Sequence, residues 1–179
     1  MGSQYYWKCW EECISYLEEK NKLEIIAFSK ELAQKFGVSS ELMEKIFAVD
    51  LKSYSKKIDH YMEQCIERAK KESARALCLY YDIENGWDST IYICKEFTRD
   101  NNQWISSKIW IEIGKARGFS GIYKKEAHGA FFADDISTGI CILLMVRTTL
   151  AFKEVVEKYK DCGLHIGITC TDSDFVKVL

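Results

Sequence analysis

The hydrophobic period changes near residue 76, and that change constrains the fold more than any single motif. Before it, apolar residues recur every three or four positions, which lines one face of a helix. After it they alternate, the spacing of a strand with two faces. Helices first and strands later define the α+β class. Residues 1–75 therefore read as a helical N-terminal segment and residues 76–179 as an α/β segment, together long enough for one compact unit.

Within the first segment Trp7, Trp10, Ile14 and Leu17 share one helical face, and Ile25, Phe28, Leu32 and Phe36 share another, stopped by Gly37 at a C-cap. A third helix is predicted from Ser39 or Ser40, both good N-cap types. The clearest stripe follows Asp50, with Leu51, Tyr54, Ile58, Tyr61, Met62, Cys65, Ile66 and Ala69 keeping one face among lysines and glutamates.

The second segment opens on ALCLYYDIENGWDSTIYICKEF. Two β-type runs flank Asn85-Gly86, residues that tolerate positive φ, so a hairpin with a loop longer than two residues is predicted. WISSKIWIEI fits a strand through Ile109, Ile111 and Ile113, although a helical spacing also fits. Residues 114–135 hold four glycines and mixed charge and read as the longest irregular region. The run GICILLMVR then reads as a strand, LAFKEVVEKYKDC as a helix and LHIGITCT as a strand. The predicted fold is N-terminal helices packed on a small mixed β-sheet with a C-terminal β-α-β unit.

Composition bounds the function. Hydrophobic residues at 47% and charged ones at 29% suit a globular chain. A formal charge of −2 gives no field to gather nucleic acid or an anionic membrane. The apolar run ICILLMV is too short to span a bilayer, so no membrane association is expected. MGSQYYWKCWEEC lacks the ordered regions of an export signal, and several of the eight cysteines sit in apolar runs where a thiol packs as a small hydrophobe. A reducing cytoplasm is the expected setting.

Chemical motifs are sparse. Residues 29–47, SKELAQKFGVSSELMEKIF, resemble a DNA-binding helix-turn-helix, with Ala33 at the helix crossing and Gly37 in the turn. Its reading positions Ser39, Ser40, Glu41, Glu44 and Lys45 are poor in the basic residues that phosphate contact requires. Asp82, Glu84 and Asp88, or Asp134 with Asp135, offer oxygens to a hard cation but not at EF-hand spacing. Cys162 with His165 is the best nucleophile and base pair, without a surrounding motif, and Arg147 closes the predicted strand 139–147 where ligands often bind. No phosphate-binding or dinucleotide fingerprint is present, so neither a cofactor, a metal nor an enzymatic activity is expected.

Aromatic residues concentrate in the hairpin tip and the irregular region: Trp87, Trp104, Trp110, Phe119, Tyr123, Phe131 and Phe132, interleaved with Glu84, Asp88, Glu112, Asp134 and Asp135. Such a mixture suits a protein partner carrying positive charge. The predicted contact surface is Asp82, Glu84, Trp87 and Asp88 on the hairpin with Tyr123, Phe131, Asp134 and Asp135 on the loop.

Residues 76–179 resemble the small bacterial immunity proteins of polymorphic-toxin and contact-dependent inhibition systems, through YYDIENGWDSTIYICKEF, NNQWISSKIW and MVRTTLAFKEVVEKYKD followed by a strand. The resemblance implies a cytosolic, non-catalytic protein that neutralises a toxin by stoichiometric occlusion, its acids imitating nucleic acid and its aromatics anchoring the complex. The alternative is a helix-turn-helix regulator with a C-terminal sensing part.

Overall fold

A computed structural model describes residues 3–98, 105, 109–131, 133–171 and 175–179. The chain is α+β: helices α1 (Ser3–Glu19), α2 (Lys22–Lys35), α3 (Ser40–Phe47) and α4 (Lys52–Lys71) precede strands β1 (Ala76–Asp82), β2 (Asp88–Cys94) and β3 (Ile109–Gly114). Then come α5 (Arg117–Glu126), α6 (Asp135–Val156), β4 (His165–Cys170) and β5 (Val176–Lys177). These form two units that alternate along the sequence, one of residues 1–50 and 117–150, the other of residues 51–116 and 151–179. The division does not fall at residue 76, because α4 belongs with the strands.

In the first unit, local chemistry sets the helix ends. The Asn21 side chain accepts from the backbone of Leu23 and Glu24 while the Glu24 carboxylate accepts from the Asn21 N–H, closing a capping box on α2. At its other end Gly37, at φ 83°, lets Val38 N–H reach the Ala33 carbonyl and Gly37 N–H reach that of Gln34. These paired bonds close the helix in a Schellman turn. The buried stripe of α1 is Tyr6, Cys9, Trp10, Cys13 and Leu17, and that of α2 includes Ile25, Leu32 and Ala33. Helix α6 approaches closely at Gly139, where an added Cβ would lie 2.7 Å from both Phe36 Cβ and Val38 Cγ2.

Two element assignments are corrected here. Residues 139–147 are helical, within α6, not a strand, so the C-terminal β-α-β unit as drawn from the sequence is replaced by one long helix followed by β4. Ile140 to Val146 are all buried, so no polar face marks the helical period. Residues 117–126, expected to be irregular, form α5, whose Phe119, Ile122 and Tyr123 point inward at helical spacing. Gly118 interrupts that pattern for a packing reason, since a Cβ there would meet Val49 Cγ1 at 2.7 Å.

The second unit is a five-stranded mixed sheet ordered β3-β2-β1-β4-β5. Only β1 and β4 are parallel; the other neighbours are antiparallel. Helix α4 packs on β1, β2 and β3. It covers the face carrying Leu77, Leu79, Tyr81, Ser89, Ile91 and Ile93, where the Tyr54 hydroxyl lies 2.6 Å from Ser89 Oγ. Ser89 Oγ donates its one proton to the Trp87 carbonyl, so Tyr54 is the donor to Ser89. At the far end of α4, Asp59 accepts from Lys158 Nζ at 2.7 Å and from the Tyr159 hydroxyl at 3.1 Å. The lysine beside it holds the Asp59 carboxyl below the usual carboxylate range.

All eight cysteines are free thiols, and every one but Cys162 is buried. Burial pushes the Cys65 and Cys94 thiols up to about 12 and those of Cys9, Cys13 and Cys78 above their ordinary value. Buried thiols held in the protonated form are poor nucleophiles. A disulfide-exchange reagent added to the native protein is therefore expected to titrate one fast thiol per chain, lost in Cys162→Ser, with the rest appearing only in denaturant. Several fast thiols in the native state would contradict this packing.

Candidate functional site

The acidic centre of the β1–β2 hairpin is a turn. Asp82 and Asp88 are the last paired residues, leaving Ile83 to Trp87 as the loop. Gly86 N–H donates to the Ile83 carbonyl at 3.3 Å and Trp87 N–H to the Asp82 carbonyl at 2.8 Å, with Gly86 at φ 69°. The loop is thus a wide turn, as its length in the sequence suggested. Asp82 Oδ1 accepts from Asn85 N–H at 3.1 Å, and Lys115 Nζ donates to Asn85 Oδ1 at 2.9 Å. Asp82 therefore shapes the turn first, and Glu84 projects from it, exposed.

Trp87 is a correction. It is 0% exposed, held at φ 60° with its ring nearly parallel to Tyr81, 6.3 Å between centroids. The left-handed backbone turns the indole inward, so it anchors the hairpin to its own unit and offers no surface to a partner. Tyr123 is corrected on the same ground, being buried on α5. Phe131 is half-buried and packs edge-on against Tyr6, 5.1 Å between centroids.

Asp134 caps α6: its Oδ1 accepts from Ser137 N–H at 2.6 Å, and that bond holds the carboxyl below its ordinary range. Asp135 follows in the first turn, where a negative charge favours the helix dipole. The eight predicted contact residues thus divide between units: Asp82, Glu84, Trp87 and Asp88 in the second, Tyr123, Phe131, Asp134 and Asp135 in the first. Trp104 and Phe132 lie outside the described residues.

Sequence reasoning missed the sheet face opposite α4. Strand alternation sets Tyr80 and Asp82 of β1, Asp88, Thr90 and Tyr92 of β2, and Trp110 and Glu112 of β3 on this one face. Tyr92 stands opposite Trp110, and Thr90 stands between Tyr80 and Glu112. The rings of Tyr80 and Tyr92 meet edge-on at 6.2 Å. Lower on the face, Phe97, Ile105 and Phe175 pack against Ala76, Cys78 and Cys94. Trp110 itself is 52% exposed, and Glu112 is exposed beside it. The signal was available: in IWIEI, once read as a strand, the isoleucines face one way and Trp110 with Glu112 the other.

Three further candidates take the following places. Cys162 Sγ lies 4.0 Å from the Leu164 carbonyl oxygen, His165 stacks on Phe97 at 4.1 Å, and Arg147 sits in α6 rather than at a strand end. Arg147 belongs to the first unit and the other two to the second. Among the described residues no group of three His, Cys, Asp or Glu side chains is placed to hold a metal ion, and no helix is long and apolar enough to cross a membrane.

The α2–α3 pair, which resembles a helix-turn-helix in sequence, lacks that motif's charge. Lys45 pairs with Glu126 at 2.8 Å, Lys30 pairs with Glu44, and Ser39 Oγ is spent capping α3 through Leu42 N–H. With Glu41 also exposed, the face that would meet DNA is acidic to neutral, opposite to what a polyanion needs. Comparison with protein-family models, curated proteins and solved structures finds no significant match.

Proposed function

We propose that the protein is a cytosolic, non-catalytic binding module for another protein, and that its partner is a toxin domain that it neutralises by steric occlusion. The observation that carries the binding reading is Trp110, half-exposed on a sheet face beside Tyr92 and Glu112. A soluble protein gains nothing for its own stability by leaving half an indole in water, whereas tryptophan and tyrosine framed by polar residues are the side chains that dominate protein interfaces. Asp82, Glu84 and Asp88 at the adjoining turn would form the polar rim.

The toxin class comes from the resemblance of residues 76–179 to immunity proteins. The eight free thiols agree with a reducing compartment. Co-expression of the tagged full chain with the product of the adjacent gene tests the proposal. The expected result is a stable complex that Trp110→Ala weakens by roughly tenfold or more, a loss of at least about 1.4 kcal/mol. A neighbour that is not a toxin, or a complex indifferent to Trp110→Ala, would sink it.

A further inference from the structure

We propose that the sheet face bearing Trp110 seats an arginine side chain presented by an extended segment of the partner. This deepens, and rests on, the protein-binding reading given above. Charge complementarity selects the occupant. On this face of β1, β2 and β3 the described residues include the carboxylates Asp82, Asp88 and Glu112 and no basic residue. Lys115 at the turn is hydrogen-bonded to Asn85, and Lys177 stands on the same face only at the opposite edge strand, β5.

Aromatic rings lie among those acids, not apart from them. Glu112 is two residues along β3 from Trp110 and therefore on the same side, about 7 Å away by strand geometry. Tyr92 is directly opposite Trp110. An aromatic face attracts a cation through its quadrupole, most strongly for tryptophan. A carboxylate within reach of the same cation adds a charge-assisted hydrogen bond. Arginine satisfies both at once, because its planar guanidinium stacks on a ring while its edge donates to a carboxylate, whereas lysine presents a compact and strongly hydrated charge. A neutral or apolar segment would leave the carboxylates without a counter-charge.

The test uses the full chain and a decapeptide alternating arginine and threonine, set against the same peptide with neutral citrulline replacing arginine. Binding is followed by tryptophan fluorescence at low and high salt, and thermal melts check that each variant is folded. The arginine peptide is expected to bind, to weaken as salt rises, and to lose roughly tenfold in affinity in Trp110→Ala and severalfold in Glu112→Gln. Both positions are exposed, so neither substitution empties a core.

Equal affinity for the two peptides, with Trp110→Ala still weakening both, overturns the arginine assignment while the binding role of the face stands. Arginine-peptide binding unchanged in Trp110→Ala, or no binding of either peptide, also overturns it. The protein-binding reading itself fails if the natural partner forms no complex, or one that ignores Trp110→Ala.

Discussion

Trp87→Ala is expected to destabilise the protein by about 3–5 kcal/mol, the range for removing a fully buried large aromatic. The indole is wholly enclosed and lies nearly parallel to Tyr81. Its backbone is equally committed: the N–H donates to Asp82 and the carbonyl receives Ser89 Oγ, which in turn accepts from Tyr54 on α4. Loss of the ring leaves a cavity at the point where hairpin and helix are tied together. The left-handed φ costs tryptophan and alanine alike, about 1 kcal/mol, so it cancels in Trp87→Ala, which reads the cavity, whereas Trp87→Gly also relieves that strain. Urea unfolding followed by far-ultraviolet circular dichroism reads the loss. A change below about 1 kcal/mol would mean that the tryptophan is not buried as described.

Gly139 gives a second large effect, with an informative sign. In an ordinary exposed helix position Gly→Ala stabilises by about 1 kcal/mol. Here an added Cβ would stand 2.7 Å from Phe36 Cβ and Val38 Cγ2 and 3.5 Å from the Ala33 carbonyl oxygen. Phe36 and Val38 are buried and fixed on either side of the Gly37 turn, so they have little room to yield. Gly139→Ala is expected to destabilise by about 1–3 kcal/mol, and Gly139→Leu by more than that. Urea titration of both variants measures the shift. Stabilisation by Gly139→Ala would show that α6 does not approach the α2–α3 turn this closely.

Much of the fold was legible because its elements advertise their period. The stripe of α4 predicted which residues would be buried, except that Tyr61 is only half-buried, and Asn85-Gly86 predicted the hairpin turn. Helix α6 was not legible from period, since Ile140 to Val146 are buried all round and a uniform apolar run has no period to read. Its start was marked all the same, by Asp134 three residues before the Ser137 N–H that it caps. Helix α5 was hidden by Gly118, a residue chosen for close approach to Val49 and not for flexibility.

The site was less legible than the fold. Exposure follows from backbone handedness and tertiary cover, which local polarity does not report. Flanking acids suggested that Trp87 faces water, yet two successive left-handed residues, Gly86 and Trp87, turn it inward. Trp110, with alternating isoleucines as neighbours, faces outward instead. The exposed tryptophan therefore lies on the sheet face beside the hairpin tip and not at the tip itself, with Asp82 and Asp88 belonging to both.

Calorimetric titration of the full chain with the product of the adjacent gene, for the native sequence and for Trp110→Ala, tests the central claim most directly. The account predicts a one-to-one complex for the native chain and at least a roughly tenfold weaker one for the variant, with the variant's thermal midpoint unchanged. Equal affinity for both chains, with the variant folded, would contradict it.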